Sequence, residues 1–198
     1  MKPFLLFVTM LLSSGASAQK WSVALSAGPA FPTGNFSKAD PDIVSGNAST
    51  GLDIQAQTTY RVYRRWGMSV LAGYQHNGDG WVPSSSRGEY YQFWKLLAGP
   101  VYQLPLTSDW ALTARALAGV ERLTPLEGPR PTPFTWGGGL GARYALHKRW
   151  FIQATADYLE ADYRHQETIY ANNALFFSSR VHYAYNSVST AVGLGYSL

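Results

Sequence analysis

The sequence predicts an all-β fold, an eight-stranded antiparallel up-and-down barrel that crosses a membrane. Three observations predict it. Apolar and polar residues alternate with period two along most of the chain, short and long connections alternate between these segments, and Trp and Tyr recur at a fixed spacing on the apolar face. Strand side chains point alternately to opposite faces, so each such segment is a ribbon with one greasy and one wet side. Composition narrows the class further. Of 198 residues, 14% are charged and 15% aromatic, against a usual charged share of roughly 25%. That balance excludes a disordered or coiled-coil chain. The chain has no cysteine, which excludes a disulfide scaffold, a thiol nucleophile and the cysteine-based zinc and haem motifs. The net charge of +4 is spread thinly, with no Lys/Arg run longer than three, so no nucleic-acid partner is expected.

Residues 1–18 read as a signal peptide. Met1-Lys2 gives a positive start, Pro3 to Leu12 an apolar run, and Ala16-Ser17-Ala18 a small-residue cleavage pattern. The run falls short of the about 20 residues that a spanning helix needs. Residues 19–198, from Gln19 onward, are then the barrel domain.

The first strand, 20–31, puts Trp21, Val23, Leu25 and Ala27 on one face; the second, 51–63, alternates from Leu52 and Asp53 to Arg61 and Val62. Even positions are apolar in the third, 66–76 (Trp66, Met68, Val70, Ala72, Tyr74), and the fifth, 109–120 (Trp110, Leu112, Ala114, Ala116, Ala118). The sixth, 134–146, the seventh, 150–160, and the eighth, 181–198, keep that parity through Leu140, Ala154 and Val192. In the fourth, 90–104, both faces are fairly apolar from Trp94 to Leu104. Arg64-Arg65, Thr107-Ser108 and His147-Lys148-Arg149 make short links; the long ones fall at about 32–50, 77–89, 121–133 and 161–180. Short turns at one end and long loops at the other are the pattern of an outer-membrane barrel. The last long connection can also be a continued hairpin, because Ala171-Asn172-Asn173-Ala174 is a good turn.

Four aromatic pairs lie eight residues apart on one face: Trp66 and Tyr74, Trp94 and Tyr102, Trp136 and Tyr144, Trp150 and Tyr158. Eight tilted residues rise roughly 20 Å, close to the height of a barrel's apolar band, so these pairs predict aromatic girdles at both membrane edges. Tyr74, Trp94, Trp136 and Tyr158 would take the long-loop rim, and Trp66, Tyr102, Tyr144 and Trp150 the short-turn rim. A soluble barrel would need a charged outer face. The polar face here is mostly glycine and serine, such as Ser22, Ser69, Gly137, Gly139, Gly141 and Gly193, which suits the filled interior of a narrow barrel.

From Gly28-Pro29-Ala30-Phe31-Pro32-Thr33-Gly34-Asn35-Phe36 to the closing Val192-Gly193-Leu194-Gly195-Tyr196-Ser197-Leu198, the mature chain resembles the small Gram-negative outer-membrane β-barrel proteins of the OmpA/OmpX membrane-domain type. Members usually end in an aromatic residue that the assembly machinery reads; here Leu198 is last and Tyr196 lies two earlier. The resemblance implies fold and an integral outer-membrane location after export, rather than one activity. It also implies lipopolysaccharide and phospholipid as surroundings, and the barrel assembly machinery as a partner in biogenesis.

Chemistry-bearing motifs are few. His76, His147, His165 and His182 form no metalloprotease pattern, no Gly-x-Ser-x-Gly or Walker sequence occurs, and no cofactor or metal is expected. His165-Gln166-Glu167 reads as a loop surface. Gly137-Gly138-Gly139-Leu140-Gly141 lies within a strand and reads as relief for crowded interior packing. Interior parity instead gathers Asp53, Arg61, Lys95, Arg115, Arg143 and Asp157 into a lumen charge network, four positive against two negative. Buried unpaired ions are costly, so a polar plug is expected, with a narrow anion-leaning pore as the alternative. The function expected is non-enzymatic: long outer loops for surface interaction with an unidentified external ligand, or for envelope integrity. The alternative is a lipid-modifying enzyme acting on lipid A or phospholipid. For that, His182 with Ser178 or Ser179 is the sole assembly of nucleophile and base to be found.

Overall fold

A computed structural model describes residues 20–38, 48–79, 90–124, 132–171 and 174–198, with backbone alone at 79, 90, 163–171 and 174–183. The expected leader, 1–18, lies outside the described residues. Eight strands follow in order: β1 (Trp21–Thr33), β2 (Ala48–Tyr63), β3 (Trp66–Asp79), β4 (Tyr90–Pro105), β5 (Trp110–Thr124), β6 (Phe134–His147), β7 (Trp150–Ala171) and β8 (Ala174–Ser197). Each pairs with its sequence neighbours, and β8 closes antiparallel on β1, so the barrel has no free edge.

The alternating pattern sets the faces. Leu25, Leu140 and Val192 are 63%, 69% and 64% exposed, whereas Asp53, Asp157 and Lys95 are 0%, 2% and 3% exposed. Charges inside and leucines outside invert a soluble protein, and match a barrel whose outer surface meets acyl chains. Ala72, Ala116 and Ala154 are exposed on the same outer face as Leu140.

Tight links close the short-turn end. Arg64 and Lys148 adopt left-handed backbone conformations, at φ 48° and 43°. Between β4 and β5, the Thr107 hydroxyl accepts hydrogen bonds from the amides of Asp109 (3.3 Å) and Trp110 (3.0 Å), which fixes the turn.

The last two strands run past their expected ends at 160 and 181. Pairing continues from Glu160 opposite Asn186 to Ala171 opposite Ala174, with one irregularity between Ile169 and Tyr170. The connection expected over 161–180 is therefore chiefly a hairpin extension, in the continued form that the Ala171–Ala174 turn suggested. Outside the apolar band neither face must be greasy, so the period-two signal fades while backbone pairing persists. β5 likewise runs to Thr124 rather than ending at 120.

The barrel lumen as candidate functional site

At the short-turn rim every strand contributes one outward ring. Trp21 stands opposite Tyr60, Trp66 opposite Tyr102, Trp110 opposite Tyr144 and Trp150 opposite Tyr196. Their ring centroids are 4.7, 5.0, 4.9 and 5.1 Å apart. Trp occupies the odd strands and Tyr the even ones. Trp21, Tyr60, Trp110 and Tyr196 escaped the eight-residue spacing because no second aromatic shares their strand face at that distance. The long-loop rim is less regular. Tyr74 meets Trp94 at 4.9 Å, but Trp136 stands opposite Glu160 and Tyr158 opposite Gly138, two residues apart in register.

Inside, the charged residues fall into two ionic groups joined by one glutamine. In the long-loop half, Lys95 Nζ lies 3.4 Å from Asp53 Oδ1 and 4.0 Å from Glu121 Oε1, and donates to Gln75 Oε1. Gln75 donates onward to Asn77 Oδ1 at 2.6 Å. At mid-height, Arg115 grips Asp157 with two parallel bonds, Nε to Oδ1 at 2.8 Å and Nη2 to Oδ2. Its Nη1 donates to Gln57 Oε1 at 2.7 Å. Gln55 bridges the groups: its amide donates to Asp53 Oδ2, and its carbonyl accepts from Arg115 Nη2 at 3.5 Å. Forked guanidinium–carboxylate geometry is the strongest way to hold two such charges out of water.

The glycine-rich segment of β6 makes this grip possible. Arg115 stands opposite Gly139 on β6, and Gly139 stands opposite Asp157 on β7. The ion pair therefore passes over Gly139, where any Cβ would overlap the Asp157 carboxylate. Gly195 plays a similar part lower down, under the ring of Phe151.

Interior parity predicts one network of six charges. Asp53, Lys95, Arg115 and Asp157 are brought together, and two corrections follow. Depth along the strands predicts Asp157 in the outer half with Asp53 and Lys95, and Arg115 at mid-height, but Asp157 is held by Arg115 in the same cross-strand row. Arg61 and Arg143 stand apart at the short-turn end, where Arg61 is exposed. Arg143 Nη2 donates to Ser197 Oγ at 2.6 Å, and its guanidinium lies 3.3 Å from the Phe151 ring centre. Glu121, 4% exposed, is a further member of the long-loop group. Its odd parity points inward, but it lies one residue past the expected strand end at 120. Among the described residues the buried charges are then two positive, Lys95 and Arg115, and three negative, Asp53, Glu121 and Asp157.

Two apolar groups complete the filling. Leu71, Leu97, Leu117 and Leu159 pack together between the two ionic groups. On β4 Leu97 is one inward step below Lys95, and on β5 and β7 Leu117 and Leu159 are one above Arg115 and Asp157. Above Lys95, Phe36 on the 3-10 turn after β1 packs edge-on against Tyr91, Phe93 and Tyr185, with centroids 5.2–5.7 Å apart. Buried at 2% exposure, Phe36 closes the long-loop mouth. An inward face read as polar hides leucines that follow the same parity.

Among the described residues no three His, Asp or Glu side chains stand where they could hold a metal. The side chains of His165, Glu167, Ser178, Ser179 and His182 lie outside the described residues. His147 is exposed at the short-turn end.

The outer membrane protein beta-barrel domain profile matches residues 4–197. Among solved structures, the chain resembles Neisserial surface protein A at 16% identity and TM-score 0.60, covering 92% of this chain and 100% of that one. It also resembles OprG from Pseudomonas aeruginosa at 13% identity and TM-score 0.59, covering 91% and 97%. Likeness at such identities speaks for the fold alone. No curated protein sequence matches the chain. With nearly its whole length matched by the profile, and with an inside-out barrel to account for the match, this chain belongs to the outer-membrane β-barrel domain family and resides in the bacterial outer membrane.

Proposed function

We propose that this protein is a non-enzymatic, non-conducting outer-membrane barrel that presents its long-loop side to the exterior. The observation that carries this reading is the filled lumen. Phe36, the Asp53–Lys95–Glu121 group, the four-leucine layer and the Arg115–Asp157 pair succeed one another along the axis. Eight strands leave an interior just wide enough for side chains, and here they occupy it. The barrel then serves as a scaffold, and function falls to what it displays.

The β7–β8 ribbon supports display. A membrane strand needs about 9–11 residues, whereas β7 has 22 and β8 has 24. From Tyr158 on the outer rim, 13 further residues of β7 reach Ala171, a projection on the order of 40 Å along the strand. Such a ribbon offers backbone edges and side chains to an external partner well clear of the lipid surface.

Planar-bilayer recording tests the lumen: no reproducible single-channel steps are expected, and steady steps would overturn the non-conducting reading. An epitope inserted between Asn172 and Asn173 tests display. Intact cells should bind its antibody, and labelling only after permeabilisation would reverse the orientation.

A further inference from the structure

The short-turn mouth carries a cluster of arginines that no described carboxylate pairs. Arg61, Arg64, Arg65 and Arg143 line one concavity of about 290 Å³, with Asp109 as its one acidic lining residue among those described. Arg61, Arg65 and Arg143 also line a narrower cavity of about 50 Å³ further in, so the two form a funnel. The inner cavity ends below Arg115 and Asp157, neither of which lines it.

No described carboxylate forms an ion pair within 4.0 Å of any of the four guanidinium groups, in contrast to Lys95 and Arg115 higher in the lumen. Three of the four nevertheless have a partner, Arg64 with its guanidinium 5.0 Å from the Tyr63 ring centre. Arg143 is fixed by the Ser197 hydroxyl and the Phe151 ring, and Arg65 Nη1 donates to the Tyr102 hydroxyl at 3.4 Å. A guanidinium has five N–H donors, and each of these hydrogen bonds uses one. Arg64 keeps a long side chain on a left-handed backbone, a place where glycine or asparagine is the less strained choice. Clustered like charges raise the free energy of the empty site and lower it when an anion enters.

We propose that this mouth is a binding site for a phosphate-bearing ligand that enters from the short-turn, periplasmic side. Four cations against one carboxylate suit a group of charge near −2, and forked N–H donors match its oxygens. Ionic and apolar layers above make the funnel a closed-ended pocket. The site lies at the opposite end from the displayed ribbon; its periplasmic access and closed end rest on the reading proposed above, whereas binding in micelles is read without either.

Titration calorimetry of the full mature barrel, refolded in zwitterionic micelles, tests this with pyrophosphate as probe. Saturable binding of one pyrophosphate per barrel is expected, weakening roughly tenfold or more in Arg61→Gln/Arg143→Gln. Should that variant not fold, Arg64→Gln/Arg65→Gln, confined to the turn, should weaken binding by roughly fivefold or more. Lys148→Gln/Arg149→Gln, which removes charge outside the concavity, should change it less than about twofold. Absence of saturable binding, or equal losses in all variants, would overturn the site. Competition names the source. Displacement by dihexanoyl phosphatidylglycerol, but not by its phosphatidylcholine counterpart, marks a lipid headgroup; displacement by neither marks a free phosphate compound.

Discussion

Arg115 on β5 and Asp157 on β7 clasp each other over Gly139, the residue that stands opposite both of them on the intervening strand β6. One row across three strands thus contains a donor, a gap and an acceptor. Breaking a buried pair by removing one partner costs about 3–5 kcal/mol, because the other charge is left in a confined space. Arg115→Met and Asp157→Asn should each destabilise the barrel strongly, and the double variant should cost less than their sum. A coupling of about 0.5–3 kcal/mol is expected from urea unfolding in lipid vesicles. Strict additivity would mean that the two side chains do not act as a pair.

Gly139 supplies the second test. Alanine there drives a methyl group into the Asp157 carboxylate and against the carbonyl of Ala156, so Gly139→Ala should cost about 1–3 kcal/mol by overpacking. In an Asp157→Ala background the cost should shrink, since the carboxylate is gone. An unchanged cost would move the crowding from the carboxylate to the backbone.

Lipid-facing positions respond in the opposite sense to lumen positions. Leu140 is 69% exposed on the outer face. Leu140→Arg places a charge among acyl chains and should cost about 2–4 kcal/mol if it lies near the midplane. Ser37→Arg, on an exposed turn beyond β1, should stay within about 0.5 kcal/mol of the parent. Equal refolding stability of the two in vesicles would refute the assignment of faces.

The amino terminus offers an independent check. The leader pattern ending Ala16-Ser17-Ala18 predicts that protein recovered from outer membranes begins at Gln19. Intact-mass measurement reads this directly, and a retained Met1 would show that the segment is not cleaved.

The strands within the membrane were legible because a span that separates lipid from lumen must alternate, and Leu25, Asp53, Leu140 and Asp157 each obey that rule. Beyond the membrane the rule lapses. The ribbon from Tyr163 to Tyr183 has no face that must be apolar, so its length depends on backbone pairing that composition does not record. Glu121 was lost for a related reason, since it lies just past the last clear alternation of β5. The leucine layer was hidden differently: Leu71, Leu97, Leu117 and Leu159 have inward parity, but a face labelled polar draws attention to its charges. Phe36 reaches the lumen from a connection with no period at all. The arginine funnel collects residues from separate strands and a turn, and only barrel closure brings them together.

Even positions of β5 meet lipid while odd ones fill a closed lumen. Because the chain has no cysteine, single cysteines from Leu112 to Val120 can each carry a nitroxide, read by electron paramagnetic resonance in bilayers. The account predicts high oxygen accessibility at Leu112, Ala114, Ala116, Ala118 and Val120. At Arg115 and Leu117, above the arginine funnel, it predicts little access for either oxygen or a water-soluble nickel chelate. Nickel reaching these two positions would contradict the filled lumen, and oxygen reaching them in place of the even ones would reverse the barrel.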